Sequence, residues 1–221
     1  MGGHCVNLLR AVLPMHGSSG MRSSVRGISL VLVMFLAACG ATPESQRYLL
    51  PMVELEALAS AGQGDLRVVI GQVDVAPFLA GAGIVQLQSG MTVHQAHYHR
   101  WAEPLPSQLE RQLRSGLQQQ LPDWNWLPLQ GSAHLRSLDY RLDLTMDSFH
   151  LNQQGEAIVA GQWQLRDGEQ GYVAHGDFSQ RQALQADGYS ALVGALHIAW
   201  QRSLQQLGAD LADHLGRANP P

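Results

Sequence analysis

The chain is 221 residues long and carries 14 basic against 18 acidic side chains, a formal charge of −4 with histidine neutral. Every basic side chain is arginine, and no basic stripe runs along any segment, which argues against a nucleic-acid partner. The two cysteines, Cys5 and Cys39, both precede the segment that reads as a folded domain, so that domain must draw its stability from its core and not from a disulfide.

Residues 1–20 show neither a clear period nor a domain pattern, and a signal of normal length begins at Met21, which is therefore the expected start of translation. Arg22 and Arg26 precede Ile28–Ala38, eleven apolar or small residues that run into Cys39 and then break at Gly40-Ala41-Thr42-Pro43. Basic, then apolar, then small is the order of an export signal. A bilayer-spanning helix needs about 20 apolar residues, roughly twice this run. Leu36-Ala37-Ala38-Cys39 resembles the lipobox of bacterial lipoproteins, in which the signal (here 1–38) is cut before the cysteine, the thiol takes diacylglycerol and the new amine is acylated. Cys39 is thus the expected lipidation site. Each buried acyl CH₂ contributes about 0.8 kcal/mol, so more than one chain makes release from the membrane slow. Cleavage leaves about 183 residues, a single domain of ordinary size, with 11 arginines against 18 acids and a net charge near −7. Residues 39–64 are mostly Ala, Gly, Pro, Ser, Gln and Glu and read as a lipidated cysteine with a flexible tether, reaching roughly 25–30 Å. One ordered-looking island within it, Arg47–Pro51, offers an edge strand.

The domain is expected over 65–216, with 217–221 as a tail. Leu66–Val75 is rich in β-branched residues between Gly64 and Pro77 and predicts a strand. Two extended runs, Ile84–Gln88 and Met91–Trp101, flank the turn signal Ser89-Gly90 and predict a hairpin. Leu105, Leu109, Leu113, Leu117 and Leu121 recur every four residues, tracing one face of an amphipathic helix that Pro122 stops. Its opposite face is Gln108, Arg111, Gln112, Arg114 and Gln118–Gln120. A tryptophan-rich link, Asp123–Trp126, leads to Leu138–Met146, where apolar and polar residues alternate as in a half-buried strand. Ala157–Leu165 alternates again, and Tyr172–Leu184 completes a three-stranded meander. A long helix from an Asp187 cap to Leu215, stopped by Gly216, carries the stripe Tyr189, Val193, Leu196, Trp200, Leu204, Leu207, Leu211 and Leu215. Strands, helix, strands, helix predicts an α+β fold: a mostly antiparallel sheet with two amphipathic helices packed on one face.

Chemical motifs are sparse. No glycine-rich nucleotide cradle and no nucleophile elbow occurs, so neither a cofactor nor a catalytic residue is expected. His94, His97 and His99 form the one histidine cluster. On a strand His97 and His99 share a face while His94 points away, so a metal would need Glu103 to fold back, and a solvated sheet edge is the simpler reading. Asp139, Asp143 and Asp147 share a strand face as a solvated surface. Trp163 and Trp200 fall on inward faces.

Several pieces in fixed order carry a family resemblance. They are the Tyr-x-Leu island after the lipobox, the strand RVVIGQV, the segment Trp101-Ala102-Glu103-Pro104-Leu105 opening the first helix, DYRLDL, WQLRD, and a closing helix beginning YSALV. Together these resemble the PqiC family, the auxiliary lipoproteins of ABC-type, MCE-containing intermembrane transport systems, over nearly all of 47–215. The chain departs from the family pattern in its histidines before Trp101 and in a single tyrosine near Tyr48. The resemblance implies a non-enzymatic lipoprotein at the inner leaflet of the outer membrane. Its periplasmic domain would dock an MCE-domain tunnel protein, served by a permease and ATPase, that carries lipid between membranes and supports membrane integrity; a homo-oligomer would suit a tunnel mouth. Partner-binding residues implied at the corner are Trp101, Glu103 and Pro104. Trp101 either packs into the domain or serves as a contact hot spot, and Glu103 either caps the helix or pairs with an arginine such as Arg100. Two other readings stay open: a structural or assembly lipoprotein of the envelope with no part in lipid transfer, and a periplasmic lipid carrier with its own apolar cavity.

Overall fold

Alternating apolar residues at 142, 144 and 146 place one face of β6 (Tyr140–Leu151) in the core, and the sheet is assembled around that strand. The computed structural model describes residues 44–58, 66–89, 92–129, 140–168 and 171–218, within a unit spanning Glu44–Pro221. Cys39, the signal segment, Asp139 and the turn at Gly90 lie outside the described residues. In chain order the strands are β1 (Gln46–Tyr48), β2 (Arg67–Val75), β3 (Gly83–Gln88), β4 (Thr92–Trp101), β5 (Asn125–Pro128), β6, β7 (Glu156–Asp167) and β8 (Tyr172–Ala183). The helices are α1 (Leu105–Gln120), between β4 and β5, and α2 (Tyr189–Ala218), after β8. The fold is α+β, an open mixed sheet of eight strands covered by two helices.

The strand order is β1-β4-β3-β6-β2-β5, with β7 added to β6 and β8 to β7. The long ladders, β6–β7 and β7–β8, are antiparallel, as is the β3–β4 hairpin, so most of the sheet is antiparallel. β2 runs parallel to both β5 and β6, and β1 runs parallel to β4. A parallel pair needs a crossover, and α1 lies in the chain between β2 and its two parallel partners. The expected tryptophan link is corrected at this point. Asn125–Pro128 is a strand, Trp124 and Trp126 stack at 5.8 Å, and both are buried.

One apolar cluster joins the inward residues of the sheet to both helices. α1 contributes Leu105, Leu109, Leu113 and Leu117. α2 adds Leu192, Leu196, Trp200, Leu204, Leu207, Leu211 and Leu215, and the buried tryptophans Trp163 and Trp200 sit in the same core. α2 differs from expectation at both ends. Leu192 N–H donates to Gly188 O, so the cap is Gly188, at φ +100°, and not Asp187; a non-glycine residue at that φ would be strained. The helix also runs past Gly216 to Ala218.

The largest correction concerns the tether. The edge strand offered by the island is present at Gln46–Tyr48, but the fold takes up more of the tether than that: Leu50 and Val53 are buried, and Leu55 and Leu58 pack against the core.

Candidate functional site

The segment 46–58 lies along α1 as a strap, and its irregular backbone is held by side chains. Leu50 N–H donates to Gln108 Oε1 at 2.9 Å, and Gln112 Nε2 donates to Leu50 O and Pro51 O at 3.3 and 3.0 Å. Gln119 takes Leu55 N–H at 2.8 Å and gives to Val53 O at 3.1 Å, while Leu58 N–H reaches Gln120 O at 2.8 Å. A glutamine amide carries an acceptor and two donors, so one side chain serves a neighbouring peptide much as a strand partner would. Gln108, Gln112 and Gln120 are 1% exposed or less, which overturns their placement on the solvated face of the helix.

Burial of these glutamines requires small neighbours. A Cβ at Gly116 would press on Val53, Leu55 and Leu204 at 3.1–3.3 Å, and one at Gly208 would run into the Gln120 side chain. Gln120 in turn donates to Leu204 O of α2 at 2.9 Å. A sequence signal for this did exist. Positions 108, 112, 116 and 120 form a second four-residue repeat, each one before a stripe leucine, and none of the four carries charge, whereas Glu110, Arg111 and Arg114 mark the true outer face.

β1 fixes where the strap begins. Its register sets Gln46 beside His99, Arg47 beside Arg100 and Tyr48 beside Trp101, and Ala102 N–H donates to Tyr48 O at 2.8 Å. Tyr48 Oη lies 2.9 Å from His99 Nδ1, and the His99 ring stacks on Tyr189 at 4.0 Å. Burial, and then the proximity of Tyr48, pushes the Tyr189 hydroxyl above its ordinary pKa. His94 and His97 are exposed, and among the described residues no three His, Cys, Asp or Glu side chains converge as metal ligands would.

At the corner after β4, Trp101 is 6% exposed, tilts against Phe149 at 6.0 Å, and donates its backbone N–H to Ala82 O at 2.7 Å. Of its two readings the structure has the packing one; a side chain this buried offers a partner almost no surface. Glu103 pairs with Arg111 at 2.9 Å, not with Arg100, and its main-chain carbonyl accepts from Gln108 Nε2. Both partners of that ion pair are about two-fifths exposed, so it contributes at most about 1 kcal/mol. Pro104 is exposed at the helix cap, where no side chain caps α1. A cleft of about 260 Å³ runs past Arg47, Arg100, Glu103 and Pro104. Among the described residues no helix is long and apolar enough to cross a membrane.

A family model of ABC-type transport auxiliary lipoprotein components matches residues 48–208, and the chain belongs to that family. Its sequence is similar to the intermembrane transport lipoprotein PqiC of Escherichia coli K12, 29% identical over 182 residues that cover 82% of this chain and 94% of the relative. Among solved structures it is similar to an uncharacterized protein with 28% identity and a TM-score of 0.63, covering 76% of this chain and 99% of that one. A protein from Xanthomonas campestris, 15% identical with a TM-score of 0.68 over 78% of this chain and 98% of its own, shares the fold.

Proposed function

We propose that this chain is a non-enzymatic accessory subunit of an MCE-containing, ABC-type intermembrane lipid transport system. It is acylated at Cys39, held at the periplasmic face of the outer membrane, and docks the far end of the transport tunnel as a homo-oligomer, thereby supporting membrane integrity. The observation that carries this reading is the family match, which runs from Tyr48 in the strap through most of α2. The likeness to PqiC along 94% of that relative supports an intermembrane role. The strap supports close anchoring: with 44–58 bound to the domain, the leash from Cys39 to Gln46 reaches at most about 25 Å when fully extended. Glu103 and Pro104, accessible at the corner, are the partner-facing residues in this reading.

Affinity purification of the acylated chain from gently solubilised membranes tests it. An MCE protein, its permease and its ATPase should co-purify, and Glu103→Arg should reduce their yield while lowering the melting temperature by no more than about a few degrees. Recovery of envelope-assembly proteins in place of a transporter would favour the structural-lipoprotein reading instead.

A further inference from the structure

The corner after β4 holds a charge arrangement that the fold does not need. The parallel register of β1 on β4 sets Arg47 directly beside Arg100, and both exposed side chains line the 260 Å³ cleft. Like charges opposite one another on neighbouring strands repel and weaken the pairing. Among the described residues neither guanidinium has an ion-pair partner. Glu103 lines the same cleft, but its carboxylate is occupied by Arg111 at 2.9 Å. Ala80, Gly81 and Ala82 complete the lining, and no charged side chain comes from that segment. Two bare guanidiniums in one cleft of an otherwise acidic domain are therefore a site waiting for an anion.

A guanidinium presents paired N–H donors in a planar fork that matches two oxygens of a phosphate. We infer that this cleft binds the phosphodiester of an anionic glycerophospholipid headgroup. A cleft of this size takes a headgroup and leaves the acyl chains in the bilayer. Location selects a lipid over free phosphate: Arg47 stands eight residues after Cys39, a reach of at most about 28 Å fully extended. That step rests on the acyl anchor of the function proposed above. Leu49 and Met52, 52% and 53% exposed, add apolar surface to the strap beyond Arg47. A basic pair beside an acyl anchor supplies the second signal that holds a lipidated protein on an anionic surface and sets its orientation.

The test uses the acylated full chain in two arms. In detergent it is titrated with glycerophosphoglycerol, the soluble headgroup of phosphatidylglycerol, and separately with inorganic phosphate. In vesicles, amide hydrogen exchange at 80–82 and 100–102 is compared between phosphatidylcholine alone and phosphatidylcholine with phosphatidylglycerol. The headgroup should bind, the double variant Arg47→Gln/Arg100→Gln should bind it at least about tenfold more weakly, and exchange should slow only where phosphatidylglycerol is present. Arg114→Gln, on the outer face of α1, should change nothing. Equal binding by a double variant that melts normally would overturn the inference. So would binding of inorganic phosphate without a response to phosphatidylglycerol, which would make the ligand a free anion. Protection that appears only on adding the transporter would also overturn it, because the occupant would then be an acidic protein segment. Transporter co-purification by the double variant separates the two ideas, since it leaves the proposed function standing when the cleft fails.

Discussion

The two helices use the same apolar logic on their inner faces and opposite logic beside them. α2 buries leucines, alanines and Trp200, and among the described residues its fully buried polar side chain, Ser203, bonds its own helix at Ala199 O. α1, with 16 residues, buries a leucine stripe and, next to it, glutamines that bond another part of the chain. Apolar contact is non-directional and sets how much surface is covered; a buried amide must meet a particular peptide group and so sets where a segment lies. α2 supplies bulk, and α1 supplies the register in which the strap is laid down.

Breaking the half that both helices share has the largest effect. Leu113 is fully buried, and Leu113→Asp should cost about 5 kcal/mol or more by placing a carboxylate in the core, seen as loss of the cooperative melt. An unshifted melting temperature would mean that the stripe does not face the sheet. Trp101→Ala extends the comparison to the residue that leads into α1: its burial against Phe149 predicts a loss of about 3–5 kcal/mol in denaturant unfolding. Lost transporter binding at full stability would restore the contact reading.

The polar half gives smaller and more selective effects. Gln108→Ala leaves Leu50 N–H buried without its acceptor and should cost about 1–3 kcal/mol. The matching change on α2, Gln206→Ala, removes a bond to Asp177 O and one accepted from Gln180 Nε2, neither fully buried, and should stay within about 1 kcal/mol. Equal effects would erase the distinction between the helices.

The smallest effect is titration at the point where α2 faces the strap. Burial lowers the pKa of His197 below its usual 6.5, and the nearby Glu54 carboxylate offsets this in part. The unfolded chain therefore takes up the proton first as pH falls, so stability declines below about pH 6.5 and levels off once the native imidazole is also charged. His197→Asn should flatten the fall in melting temperature between pH 7.5 and 5.5; an unchanged slope would show that His197 does not contribute.

This division also explains what could be read from the residues alone. The stripes of both helices and the alternation in β6, β7 and β8 state their own geometry, because burial repeats with the period of the backbone. Trp163 and Trp200 follow from the same repeat. Strand direction is a different matter: Val68, Val69 and Ile70 announce a buried strand but not that its neighbours run parallel to it. Beyond its opening edge strand, the strap was illegible for a physical reason. An extended segment laid along a helix has no period of its own, this one sits between Ala-, Gly- and Ser-containing stretches that read as a linker, and its partners are glutamines some 60 residues away in sequence. At the corner, Glu103 reads from the sequence as either a cap or the partner of an arginine such as Arg100, and its actual partner Arg111 is set by the turn of α1 and not by sequence proximity.

Residues 44–58 belong to the folded domain, and in the proposed function they leave only a short leash between Cys39 and that domain. Native-state amide hydrogen exchange at Leu50, Leu55 and Leu58 tests it most directly. Protection approaching that of core amides such as Val68 is the result expected. Exchange at the rate of an unstructured peptide would contradict the account and restore the long tether.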